Sequence, residues 1–178
     1  MRKVLDSPMW GAAVADEVDT ILAQWARERP DVDTSPMGVF GRISRLDPRV
    51  NDRLGRVFGE FGLDFAGFDV LAALRRSGAP YELTPSQLAA SMLVTPGAVA
   101  QRLVRLEDQG LVTRRHDNPD RRKVTVALTP PGLETINAAV VEHAANERGM
   151  LSVLTGEERD VLATLLRKLL ISLGDEGR

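Results

Sequence analysis

The stretch TPSQLAASMLVTPGAVAQRLVRLEDQGLVTRRHDNPDRRKVTVALTPPG, residues 84–132, decides the fold. Thr84-Pro85-Ser86-Gln87 is a capping box with proline at the first helical position, where its missing N–H is one that a helix start leaves unpaired anyway. That helix should end near Met92. Thr95-Pro96 opens a second helix of roughly four turns, and Gly110 stops it. Residues 111–116 read as a strand, 117–120 as a turn and 122–128 as a second strand. In the second strand Val124, Val126 and Leu128 alternate with Lys123, Thr125 and Ala127, the period of a half-buried strand. Thr129-Pro130 then caps a long helix reaching about Leu151. A helix pair joined by a short turn and followed by a hairpin is a winged helix-turn-helix.

The flanks are helical. On the C-terminal side, Thr155-Gly156-Glu157-Glu158 is another capping box. It opens a helix expected to turn Val161, Leu162, Leu165, Leu166, Leu169, Leu170 and Leu173 inward. On the N-terminal side, Val14, Val18, Ile21, Leu22 and Trp25 form one apolar stripe at helical spacing, ending near Arg29-Pro30. Residues 31–36 read as a loop. A second stripe runs through Phe40, Ile43, Leu46, Val50, Leu54, Val57, Phe58 and Phe61. Asp47-Pro48 interrupts it and predicts a kink or break with Asp47 as a new cap. Residues 65–76 form a short helix ending at Ser77-Gly78. The expected class is mainly α with a small two-stranded antiparallel wing. Its parts are an N-terminal arm with an added helix (1–36), a dimerisation and core helix (37–64), the winged helix-turn-helix (65–131) and C-terminal dimerisation helices (132–178).

Of the 178 residues, 43% are hydrophobic, enough for a core. No run of about 18 apolar residues offers a membrane span, and the opening MRKVLDSPMW is not a secretory signal. Cysteine is absent, which removes disulfides and thiolate metal sites. A cytoplasmic protein is the expectation. The net charge of −2 hides an uneven distribution: residues 84–131 are net +3, whereas 1–36 and 132–178 are each net −3. A basic middle between acidic ends suits phosphate contact. The two histidines, His116 and His143, belong to no HExxH, and neither a Walker loop nor a Gly-x-Gly-x-x-Gly turn is present. The expectation is no enzyme, no cofactor and no metal.

Within 96–109, Val99, Leu103 and Leu106 make an inward stripe. Gly97, Ala98, Gln101 and Arg105 lie on the other side, towards the N-terminus, where a recognition helix meets base edges. Glutamine can pair with adenine and arginine with guanine, and small residues permit close approach. The same residues also suit an ordinary surface helix. The hairpin adds Arg114 and Arg115 in its first strand and Arg121, Arg122 and Lys123 after its turn. Five clustered cations fit phosphate contacts, although Asp120 beside Arg121 also suits a turn-stabilising ion pair.

These motifs resemble a known family. Thr95-Pro96-Gly97-Ala98-Val99, Arg102-Leu103 and the run Leu106-Glu107-Asp108-Gln109-Gly110-Leu111-Val112 are similar to the recognition helix of MarR-family regulators. Asp117-Asn118-Pro119-Asp120-Arg121-Arg122 looks like that family's wing, and Leu128-Thr129-Pro130-Pro131-Gly132 like the entry into its long dimer helix. The resemblance runs from about Met37 to Leu173. It implies a homodimer that binds a pseudo-palindromic operator through Thr95, Gly97, Ala98, Gln101, Arg105, Arg114, Arg115, Arg121, Arg122 and Lys123, acts as a repressor and is released by a small ligand.

The stretch Ala23-Gln24-Trp25-Ala26-Arg27-Glu28-Arg29-Pro30 resembles the added helix of the family's urate-responsive, PecS-like subgroup. That likeness implies a ligand set of Trp25, Asp69, Arg76 and Arg102 for urate or another flat aromatic anion, with Arg114 linked to the response. An aromatic ring and a guanidinium suit such an anion by stacking and charge-assisted hydrogen bonds. Plainer roles stay open: Trp25 as packing on its apolar stripe, Asp69 as a capping residue, Arg76 as a solvated cation. So do a winged-helix regulator without a urate response and a protein-interaction module.

Overall fold

A computed structural model describes residues 15–92, 94–115 and 124–175. The predicted wing turn, with His116, Arg121, Arg122 and Lys123, lies outside the described residues, as does Val14. The chain divides into two compact units, Met1–Asp52 and Arg53–Arg178.

In the first unit, helix α1 spans Glu17–Glu28. Its cap is reciprocal: the Asp16 carboxylate accepts from the Asp19 N–H at 3.0 Å, and Asp19 accepts from the Asp16 N–H at 2.9 Å. Helix α2, Ser35–Glu60, begins in this unit and continues into the second. Val18 is buried because α2 offers glycines where it and Leu22 meet it. A Cβ on Gly41 would sit 3.3 Å from a Val18 methyl, and one on Gly38 3.3 Å from Leu22 Cδ1. Arg42 completes the join, with Nε 2.9 Å from Asp16 and Nη2 2.7 Å from Asp19. The Asp16 N–H and then the Arg42 guanidinium hold the Asp19 carboxyl below the usual carboxylate range. A carboxyl depressed in the folded state contributes stability above its ordinary pKa, and loses it as pH falls through the folded value.

Helix α2 runs unbroken through Pro48, so the expected break with Asp47 as a cap does not occur. Proline deprives a helix of one N–H bond and crowds the carbonyl four residues back. In a helix of 26 residues the remaining ladder holds its two sides together.

The second unit contains the winged helix-turn-helix. Helix α3, Phe65–Arg76, is capped by Asp64, whose carboxylate accepts from the Gly67 N–H at 2.7 Å. It runs through the core, with Val70, Leu71 and Leu74 fully buried. Phe58, from the end of α2, stacks on Phe68 at 4.2 Å between centroids and meets the edge of Phe65 at 5.1 Å. Helices α4, Pro85–Met92, and α5, Pro96–Asp108, follow the predicted caps. Gly110 has φ +71°, the left-handed turn that glycine makes without a Cβ penalty. Val99, Leu103 and Leu106 turn α5 towards Leu88 and α3.

Three strands pair in the order β1-β3-β2, all antiparallel: β1 is Glu82–Leu83, β2 Val112–Arg115 and β3 Thr125–Leu128. The predicted two-stranded ribbon therefore gains a third strand. A strand of two residues is too short to show a period of two. It also explains why both Val126 and Ala127 are buried where alternation predicts only Val126. Ala127 lies in register between Glu82 and Thr113, so neighbours flank its small side chain on both sides.

Helix α6, Pro130–Met150, packs on α3 and buries Ile136 and Ala139. Helix α7, Gly156–Ser172, has its capping box but no buried residue. Among the described residues, the leucines expected to face inward are not buried. Leu162, Leu165, Leu166 and Leu170 are all exposed.

Candidate nucleic-acid interface

Helix α5 separates its two faces as its sequence requires. The Thr95 hydroxyl accepts from the Ala98 N–H at 3.3 Å and fixes the first turn. Gln101 and Arg105 are exposed, Ala98 is half-buried, and a Cβ at Gly97 would meet nothing within 4 Å. This face borders a groove of about 550 Å³ whose other wall is the start of α3, with Gly62, Asp64 and Gly67. Arg105 Nη1 lies 3.2 Å from the Asp64 carboxylate, and the Gln109 amide donates to the Gly62 carbonyl at 3.0 Å.

The two described wing arginines leave β2 on opposite faces. Arg114 is in register with Val126, on the side of the sheet that meets the core. It is half-buried, with Nε 2.9 Å from Glu107 of α5. Its Nε and Nη2 are shielded from solvent without an aligned hydrogen bond. The short distance therefore reflects an ion pair whose N–H vectors point off the carboxylate. Arg115 reaches over β3 to Glu82 of β1, Nη1 to carboxylate 2.8 Å. Asp64, Glu82 and Glu107 have no mark in the sequence as partners. They stand 41, 33 and 7 residues from the arginines they hold, and the first two separations carry no helical or strand period.

The four candidate ligand residues belong to three helices. Trp25 belongs to the first unit and is exposed on α1. Asp69 and Arg76 are exposed on α3. Arg102 is half-buried, with Nη1 3.8 Å from the Met92 sulfur, and lines the groove beside Gln101 and Arg105. That groove includes neither Asp69 nor Arg76.

The MarR family model matches residues 61–123, the span from just after α2 to just before β3. Over 153 residues the chain is 41% identical to the HTH-type transcriptional regulator PecS of Dickeya dadantii (strain 3937), covering 86% of this chain and 92% of PecS. The chain belongs to the MarR family. As a member of that family, of the PecS type, it is a DNA-binding transcriptional regulator. Among solved MarR-like structures, a mutant of E. coli MarR complexed with operator DNA is 26% identical, with a TM-score of 0.65 over 76% of this chain and 94% of that one. Bordetella bronchiseptica BpsR, solved in a study of how 6-hydroxynicotinic acid regulates its DNA binding, is 28% identical. Its TM-score is 0.59 over 72% of this chain and 98% of that one. No helix among the described residues is long and apolar enough to cross a membrane.

Proposed function

We propose that this MarR-family chain is a homodimeric repressor that grips a pseudo-palindromic operator and lets go when it binds a flat aromatic anion such as urate. The observation that carries the DNA half is the outward face of α5. Gly97 and Ala98 leave its first turn unobstructed, and Gln101 and Arg105 stand exposed beyond them. Small residues first and bidentate side chains next is the arrangement that major-groove reading needs. Thr95, Arg115, Arg121, Arg122 and Lys123 then serve the phosphates, and Arg114 braces the wing strand against α5 through Glu107.

The ligand half rests on Trp25, Asp69, Arg76 and Arg102 together with the likeness to PecS and to BpsR, whose DNA binding is regulated by 6-hydroxynicotinic acid, itself a flat aromatic acid. A ligand shifts DNA affinity only through different affinities for two states. Arg102 supplies a route, because it is half-buried on the same helix that carries Gln101 and Arg105.

Urate titration tests this half. With only Trp10 and Trp25 in the chain, a Trp10→Phe variant reports on Trp25 alone. Urate should quench that fluorescence and weaken the DNA complex over the same concentration range. Arg76→Ala should lose at least about tenfold in urate affinity, as expected when an anion loses a charged hydrogen-bonding partner. Arg102→Ala should retain binding but lose coupling to DNA release. Unchanged fluorescence together with an unchanged DNA complex, for urate and for 6-hydroxynicotinate, would return the four residues to packing and solvation roles.

A further inference from the structure

Among the described residues, the three arginines assigned to the DNA face each lie against a carboxylate: Arg105 with Asp64, Arg114 with Glu107 and Arg115 with Glu82. The pairs are of two kinds. Arg114 and Glu107 are both about two-thirds covered and lie between α5 and β2, where the ion pair fixes the wing strand to the helix. Glu82, which holds Arg115, is about three-quarters covered, and that pair joins β1 to β2 across β3. Arg105 and Asp64, by contrast, are mostly exposed. Exposed ion pairs contribute little stability, so the Arg105–Asp64 pair is poorly explained as a brace for the fold. Asp64 is already occupied as the cap of α3 through its other oxygen.

A carboxylate on a DNA-facing surface has a second effect. It sets a negative charge where phosphates approach and gives the neighbouring guanidinium an alternative partner. From this contact we infer that Asp64 is a specificity-determining residue. It keeps Arg105 out of the pool of cations that any DNA sequence can use. On an arbitrary duplex, Arg105 is offered only a phosphate, which replaces one anionic partner with another at the cost of bringing Asp64 against the backbone. At the operator, a two-pronged contact to a guanine edge displaces a single 3.2 Å contact and adds alignment that the carboxylate pair lacks. Discrimination then comes from suppressing the wrong complexes as well as from favouring the right one. This role rests on the reading of α5 as the DNA-facing helix.

Asp64→Asn tests the inference. Asparagine is as good an N-cap acceptor as aspartate, so α3 keeps its start, and circular dichroism and thermal melting should match the parent. Binding is measured against salt on two duplexes: one selected by this protein from a random library, and a scrambled duplex of equal composition. The substitution should tighten scrambled-duplex binding roughly five- to tenfold near 0.1 M salt and steepen its log–log salt slope by about one, the signature of one more phosphate contact. On the selected duplex the slope should stay as it is, and affinity should rise less than about fivefold, the most that releasing an exposed ion pair supplies. The specificity ratio therefore falls. An unchanged scrambled-duplex slope, or equal gains on both duplexes, would overturn the inference while leaving the DNA-reading helix intact. A parent protein that enriches no duplex at all would overturn both.

Discussion

Leu166→Glu should convert the protein to a monomer and lower operator affinity by at least about a hundredfold. No residue of helix α7 is buried among the described residues, and it presents Leu162, Leu165, Leu166 and Leu170 along its length, all at least 38% exposed. An apolar stripe of this extent suits a partner surface, and in the proposed homodimer a second copy of the same helix would supply one under two-fold symmetry. Removing apolar area from water is worth about 25 cal/mol per Å², and a carboxylate placed in that contact would be buried without a counter-charge. The monomer's fold should survive, because Leu166 supports no core within the chain. The loss in affinity follows from separating two reading heads whose second contact is otherwise intramolecular. Sedimentation beside mobility shift measures both. A variant that remains dimeric and binds DNA as the parent does would remove α7 from the interface.

The second large effect is expected at Gly132. A Cβ built there overlaps the Leu111 carbonyl, so the first turn of α6 lies directly against the backbone between α5 and β2. Thr129 ties the same point from the other side. Its hydroxyl accepts from the Gly132 N–H at 3.1 Å and donates to the Gly110 carbonyl at 2.7 Å, and its own N–H donates to Leu111 at 3.1 Å. The end of α5 and the start of α6 are thus one joint. Gly132→Val should destabilise the protein by about 3 kcal/mol, at the upper end of overpacking costs because the obstacle is backbone. It should weaken DNA binding further by displacing β2 and the wing. Gly97→Ala is the control: it meets no atom within 4 Å, and alanine is the better helix former by up to about 1 kcal/mol. Urea unfolding compares the two. Equal midpoints for Gly132→Val and the parent would mean that the joint is not tight.

The contrast between these two glycines shows where the sequence is informative. Caps and stops are local chemistry, so Thr84, Thr95, Thr129, Thr155 and Gly110 place four helix starts and one helix end from neighbouring residues alone. The inward stripe of α5 is equally local. What depends on distant parts of the chain is not written in any short window. Strand β1 exists because Glu82 and Leu83 pair with the far strand of the hairpin, and two residues carry no pattern. Pro48 has the local signature of a break, but a long helix continues through it. The stripe on α7 is correctly read as apolar, but its period cannot say whether the covering surface lies in the same chain or in another. The candidate site divides in the same way. Gln101 and Arg105 follow from the period of one helix, whereas the Asp64 and Glu82 carboxylates that engage Arg105 and Arg115 come from elements 33–41 residues away.

The central claim is that two copies of this chain read DNA through the Gln101–Arg105 face of α5. Selection from a random duplex library by the parent and by Gln101→Ala, sequenced side by side, tests it most directly. The parent should enrich a pseudo-palindrome whose half-sites lie about one helical turn apart. Gln101→Ala should keep that spacing while relaxing one symmetric pair of base positions, a loss of roughly 1–3 kcal/mol of discrimination. Enrichment of a single, asymmetric half-site, or an identical motif from both proteins, would contradict the account.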